Sequence, residues 1–320
     1  MNEPKLSKAM AWLDEDLLCG AMEYLPKRAK RPAWTRWASL AACLCLVFLF
    51  AVPAYSELTN GYVSNLLAPL YGCAQTELVD RIGKPVGASV TVGDYRLTAD
   101  AVIGDRFHYA VVYTLRRTDG GALPEGLGFQ GYDTSMRGSG GACYQHILSE
   151  DSSELKIVQQ VTQSKKMPLN RIVEVTFSDL CRYDGNTTTA IAEGDWNLKF
   201  CLRYEDTSVN IPVRNLKVTN AEGISYTIHK MTLSPVGIHL DMTVPNNYTD
   251  GKLYDAVFHG FTVAVVLGSG QVIPMEDRNM GRHGRGKWAD ADYGAFFEEP
   301  IDISNISEIL ICGTAVEIKK

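Results

Sequence analysis

The chain has 320 residues, 46% of them hydrophobic, with 31 Lys/Arg against 37 Asp/Glu and a formal net charge of −6. That length holds about two domains of ~100–150 residues, and the hydrophobic share excludes a wholly disordered chain. Residues 1–36 carry seven basic and five acidic side chains, residues 37–55 carry none, and residues 56–320 carry 24 basic and 32 acidic. The acidic bulk excludes a nucleic-acid binder that works through clustered phosphate contacts.

The first segment reads as a short amphipathic helix. Leu6, Met10, Leu13, Leu17, Ala21 and Leu25 recur at three- and four-residue spacing, with Asp14, Glu15 and Asp16 off that stripe. Such a stripe lies on the inner leaflet or docks a cytoplasmic partner in a groove. The partner-facing residues are expected to be Leu6, Met10, Leu13, Leu17 and Ala21.

Trp37 to Tyr55 follows, 19 residues without a charge. As a helix at ~1.5 Å per residue it would span roughly 28 Å, close to the ~30 Å of bilayer hydrocarbon. Lys27, Arg28, Lys30, Arg31 and Arg36 precede it, and the first charge after it is Glu57. The basic flank stays inside, so the N-terminus is expected in the cytoplasm and the C-terminal region outside the cell. Ala54-Tyr55-Ser56 has small residues at a signal-peptidase spacing, but a 36-residue leader with its own periodicity differs from a short n-region. Leu40-Ala41-Ala42-Cys43 spells a lipobox, yet the apolar run continues past the cysteine to Pro53. The segment therefore reads as a signal anchor.

Residues 56–85 form a juxtamembrane connector, with one or two short helices interrupted by Pro69, Gly72, Gly83 and Pro85. Beyond it the apolar period is two. Phe107, Tyr109, Val111, Tyr113 and Leu115 alternate with His108, Ala110, Val112 and Thr114, the pattern of a half-buried strand. Trp196, Leu198, Phe200 and Leu202 alternate likewise, as do Ile238, Leu240, Met242 and Val244, then Phe261, Val263, Val265 and Leu267. A shift of 131 residues superposes Tyr95 on Tyr226, Leu97 on Ile228, His108 on His239 and Thr118-Asp119-Gly120 on Thr249-Asp250-Gly251. The expected architecture is mainly β: an N-terminal transmembrane helix, then two related antiparallel β-sandwich (Ig-like) modules at 86–207 and 208–320.

Candidate chemistry is sparse. His108 and His239 fall on the strand face opposite the apolar one and read as solvated, because zinc needs three or four ligands and His239 has only Asp241 nearby in sequence. Asp277–Asp292 gathers Arg278, Arg282, His283, Arg285 and Lys287 among glycines. It reads as a long hairpin loop whose Arg278, Arg282, Arg285 and Lys287 could hold an anionic cell-wall polymer. Of eight cysteines, Cys43 and Cys45 fall in the membrane and Cys19 inside, which leaves Cys73, Cys143, Cys181, Cys201 and Cys312 outside the cell, an odd number with no C-x-x-C. A Cys181–Cys201 bridge between neighbouring strands is one pairing open to them. The chain lacks G-x-S-x-G, H-E-x-x-H and P-loop spellings, so no enzyme, cofactor or metal is expected.

Two stretches carry a family resemblance. They are Leu66-Leu67-Ala68-Pro69-Leu70-Tyr71-Gly72 with Thr76–Asp80 and Ile82–Pro85, and Thr98-Ala99-Asp100-Ala101-Val102-Ile103-Gly104-Asp105. With the basic-then-LAACLCL segment they resemble a family of Gram-positive single-span membrane proteins whose exterior part is domain of unknown function 4179. The resemblance covers about residues 8–117 and is architectural beyond. It implies an anti-sigma-factor-like envelope regulator, with an inner segment that holds a sigma factor and an outer region that senses or binds. Zinc-type anti-sigma domains carry a His and a Cys-x-x-Cys on a cytoplasmic helix, whereas residues 1–36 have no His and only Cys19. The other reading is a structural or adhesive envelope protein, for which the N-terminus is only an anchor.

Overall fold

The computed structural model describes residues 61–72, 75–135, 140–149, 152–185, 187–245, 257, 260–275, 278–283 and 287–318. Leu6, Met10, Leu13, Leu17, Ala21, the apolar run 37–55 and Arg285 lie outside the described residues. Among the described residues no helix is long and apolar enough to cross a membrane.

Among the described residues two short helices come first, α1 (Tyr62–Tyr71) and α2 (Thr76–Ile82). No side chain of its own caps α1. Asp80 of α2 does so instead, accepting from the N–H of Gly61 at 2.6 Å and of Ser64 at 2.7 Å, where a carboxylate also meets the positive helix end. At Gly83 an added Cβ would come within 2.9 Å of Val63 Cγ1 and of the Val79 carbonyl, so a residue without a side chain lets the pair close.

Eight strands then form a first unit: β1 (Lys84–Val92), β2 (Tyr95–Gly104), β3 (His108–Arg117), β4 (Leu127–Thr134), β5 (Gly140–Leu148), β6 (Leu155–Gln163), β7 (Arg171–Asp184) and β8 (Thr187–Leu202). One antiparallel sheet runs β1-β2-β3-β6-β5 and the other β4-β7-β8. They enclose a common core in which Tyr113, Phe129, Phe177 and Trp196 pack edge to face or tilted, ring centroids 4.9–5.2 Å apart.

The second unit has β9 (Val209–Ile211), β10 (Leu216–Thr219), β11 (Ser225–Leu233), β12 (Gly237–Pro245), β13 (Val263–Leu267), β14 (Val272–Pro274), β15 (Arg278–His283), β16 (Trp288–Phe296), β17 (Ile306–Ile311) and β18 (Thr314–Glu317). Its sheets run β10-β11-β12-β16-β15 and β14-β13-β17-β18, with β9 beside β11. The five-stranded paths of the two units match strand for strand, and β4-β7-β8 matches β13-β17-β18. The hairpins β2–β3 and β11–β12 carry the same bulge, between Ala99 and Ala101 in one and between Ile228 and Lys230 in the other. Aligning bulges and turns gives a shift of 129, not the 131 read from sequence. The two registers differ by one pleat. A strand's side-chain period is two, so a slip of two residues keeps every apolar residue on the core face and is invisible to hydrophobic matching. Under the observed register His108 corresponds to Gly237, and His239 to Ala110.

The alternation in β3 predicts one solvated face, and here the structure differs. His108, Ala110, Val112 and Thr114 are as buried as the core-facing residues between them. Val63, Leu67, Tyr71, Leu78, Val79 and Ile82 of the helices cover that face, in one apolar cluster with Ala101, Ile103, Ala110, Val112, Val158 and, from the second unit, Val236 and Phe296. The units meet closely at Gly294 of β16, where an added Cβ would lie 2.3 Å from Thr162 Cγ2 and 3.1 Å from His108 Nε2. Gly294→Ala is expected to cost about 1–3 kcal/mol through overpacking. Gly268→Ala, whose new methyl would meet only the Asn305 carbonyl at 3.6 Å, should cost far less in the same denaturant melts.

Candidate functional site

The equivalent turns of the two hairpins touch each other. In the first, Asp105 N–H donates to the His108 carbonyl at 2.7 Å, while Asp105 Oδ1 accepts from the N–H groups of Phe107 (2.6 Å) and His108 (2.8 Å). In the second, Ser234 N–H donates to the Gly237 carbonyl at 2.9 Å, and Ser234 Oγ accepts from Val236 N–H (3.2 Å) and Gly237 N–H (3.1 Å). Each turn is thus closed by its own first side chain. The turns are joined by a hydrogen bond from Ser234 Oγ to Asp105 Oδ2. His108 Nδ1 lies 3.0 Å from the same oxygen, and Tyr204 Oη, from the segment between the units, donates to the Asp105 carbonyl at 2.6 Å.

All these groups are out of water. Burial alone would push the Asp105 carboxyl up, but the charge and hydrogen bond of His108, with hydrogen bonds from Ser234 and Phe107, hold it below the ordinary carboxylate range. Burial first, and the Asp105 charge second, push the Tyr71 and Tyr204 hydroxyls up, so both keep their protons. His108 Nε2 and Tyr71 Oη have no partner among the described residues. Although Asp, His and Ser meet here, Ser234 donates to the carboxylate rather than to the imidazole. The arrangement that activates a serine nucleophile is absent, and the cluster's chemistry is that of a joint.

Beside the joint opens a cleft of roughly 620 Å³. Its walls are Phe107, the residues after β6 (Ser164, Lys165, Lys166), β9 with the turn after it (Asn210–Arg214), His229–Thr232 of β11, and Asp241 of β12. The Phe107 ring stacks on His239, centroids 3.6 Å apart and planes 7° from parallel, and Lys166 Nζ lies 6.0 Å from the Phe107 centroid. His239 Nε2 faces Asp241 Oδ1 at 3.3 Å, and this hydrogen bond, more than partial burial opposes it, holds the Asp241 carboxyl down.

The residues picked out in the sequence fare differently. His108 and His239 are not solvated; both are buried where the units meet, with ring centroids 6.4 Å apart. Among the described residues no three potential ligands converge on a metal position. The arginine-rich stretch is not one long loop. Arg278, Arg282 and His283 belong to edge strand β15, in register with Ala295, Ala291 and Asp290, and Lys287 is exposed just before β16. Regular pairing with β16 therefore takes up backbone that the glycine content assigns to a loop. Cys181 is free and buried whereas Cys201 is disulfide-bonded, so these two do not pair. In the β7–β8 register Cys181 lies opposite Ala190 and Cys201 opposite Ile172, which separates them along the strands. Asp105, Ser234, Tyr204, Lys165, Lys166 and Arg214 escaped the sequence reading. The one local signal was Asp105 at a hairpin turn, where a side chain can close on its own backbone.

Fold and site together define a mainly β protein of several antiparallel sheets, with a buried polar joint and a cation-lined cleft. Among solved structures it is similar to the crystal structure of the conserved domain protein from Bacillus anthracis, with a TM-score of 0.53, 14% identity, and coverage of 72% of this chain and 76% of that one. At that identity the likeness is one of fold alone. No family model matches the chain, and no curated protein matches it.

Removing the Asp105 carboxylate leaves two N–H groups, an imidazole and the Ser234 hydroxyl without their acceptor. Asp105→Ala is expected to cost about 3–5 kcal/mol. Because the folded carboxyl titrates below its unfolded value, its stabilisation is complete above the ordinary carboxylate range and is lost as pH falls through the lowered folded value. The advantage of the native protein over Asp105→Asn should therefore shrink below about pH 4. Urea melts over a pH series measure it, and an advantage that grows on acidification would contradict the assignment.

Proposed function

We propose that the chain is a single-pass membrane protein, N-terminus in the cytoplasm, whose β-sandwich (Ig-like) modules serve outside the cell as a sensor or binding region for an anti-sigma-factor-like regulator. The observation that carries this reading is the seat of α1 and α2. Six residues separate them from the apolar run 37–55, and they pack into one cluster with both units, at the joint where Val236 and Phe296 meet sheet β1-β2-β3-β6-β5. An anchor needs only a slack tether after the membrane. A helix pair packed against both outer units brings a ligand-dependent change in those units to within six residues of the apolar run. The resemblance to the domain of unknown function 4179 family adds the inner partner, a sigma factor held by the Leu6–Ala21 stripe. The second reading, a structural or adhesive envelope protein, draws on residues 1–36 carrying no His and no Cys-x-x-Cys.

The two readings part at residues 1–36. A buried aliphatic side chain contributes ~1.5–3 kcal/mol, and an unpaired charge in its place costs more. Leu17→Glu in the full-length protein should release a co-purifying sigma factor, while Glu15→Gln should retain it. Since Leu17→Glu would also lift a lipid-lying helix, a soluble peptide of residues 1–36 is the companion test. If it captures no sigma factor, the anchor-only reading takes over. Mature protein beginning near Tyr55 or Glu57 would remove the anchor itself.

A further inference from the structure

We infer that the cleft between the two units is a binding site for a ligand carrying several phosphate groups. The inference rests on the receptor reading above only in taking this cleft as the receptor's ligand site, since its residues lie between positions 107 and 241 whatever the topology of the N-terminus. Residues 56–320 hold 32 acidic and 24 basic side chains, yet the cleft is lined by Lys165, Lys166, Arg214 and Lys230 against the single carboxylate of Asp241. Lys230 and Asp241 face each other at 3.6 Å. Lys165, Lys166 and Arg214 make no hydrogen bond or ion pair with another described residue. Elsewhere in the first unit Arg106, Arg116, Arg117 and Lys156 each sit against a carboxylate. A concave surface of one sign focuses potential and draws counter-ions, and a guanidinium beside two ammonium groups suits phosphate oxygens.

The backbone at the rim is specialised too. Arg214 and Asn215, neither a glycine, both lie in the left-handed region at φ 46° and 56°. The second is held there by a contact of 2.8 Å between Asn215 Oδ1 and His229 Nδ1. Successive residues in that region are costly and mark places where a turn is held for a purpose. The turn sets Arg214 on the wall of the cleft that also carries Lys230. Roughly 620 Å³ exceeds the need of one phosphate, and Phe107, Ile211, Pro212 and Val213 supply apolar wall for the carbon part of a phosphate ester.

The test uses full-length protein in phosphatidylcholine nanodiscs, titrated calorimetrically with inorganic tripolyphosphate at constant ionic strength. One saturable site per chain is expected. The triple variant Lys165→Gln/Lys166→Gln/Arg214→Gln should weaken it at least ~100-fold, on the order of tenfold for each charge-assisted hydrogen bond removed. Arg182→Gln and Lys199→Gln, exposed cations on β7 and β8, should leave it unchanged. Lys165→Arg/Lys166→Arg keeps the charge and should keep binding, which separates loss of the site from loss of the fold. A parallel arm measures flotation with phosphatidylglycerol vesicles. Vesicle binding abolished in the triple variant identifies a lipid headgroup as the source, and tripolyphosphate binding alone identifies a soluble phosphate ligand. Binding in neither arm, or equal loss in the β7 and β8 variants, overturns the proposal.

Discussion

A carboxylate withdrawn from water must find in the protein the interactions that water supplied, and Asp105 and its backbone find them in three separately placed pieces of chain. Two backbone N–H groups and the His108 imidazole come from its own turn, a hydroxyl comes from the turn of the other unit, and a tyrosine hydroxyl reaches the backbone carbonyl of Asp105 from the segment between the units. None of these interactions is strong alone in net terms. Together they tie the correct placement of each piece to that of the others, because moving any one leaves a buried charge under-solvated. The relative placement of the two units thus depends on this one group together with the close packing around it, at Gly294 and in the Phe107–His239 stack.

The joint also illustrates how a repeated element becomes asymmetric. Both hairpins close their turns with the same three hydrogen bonds, but one uses a carboxylate and the other a hydroxyl. Two carboxylates facing each other in the dry joint would repel, so that one would have to bind a proton. A hydroxyl is acceptor for its own turn and donor to the other, and so Ser234 satisfies both at once. The meeting of like turns therefore needs unlike side chains.

What the joint positions is the ground for the functional proposal. Beside it the end of β6, the turn after β9 and the outer face of β11 and β12 form the cation-lined cleft, and on its other side α1 and α2 cover both units. On the proposed reading, a ligand between the units and the helix pair at their seam would act on the same junction. A change in one is mechanically adjacent to the other, as coupling across a membrane requires.

The strands were legible in the sequence because a strand facing a core writes a period of two into it. Trp196 to Leu202 and Ile238 to Val244 are strands for that reason, and Gly72 and Gly83 stop the helices where they stand in the chain. The same period hid the one-pleat slip between the hairpins, since a shift of 129 and one of 131 present identical apolar faces. Nor could alternation tell that the second face of β3 is covered, because Ala110 and Val112 read alike beside helices or beside water. The site was less legible still. Lys165, Arg214 and Lys230 stand far apart in sequence in ordinary surface contexts, and Asp105 and Ser234 are 129 positions apart. Sequence determined the elements, through periodicity and breakers that act over a few residues. Only the tertiary structure decided which elements meet, because burial of a polar group and convergence of like charges are properties of distance in space.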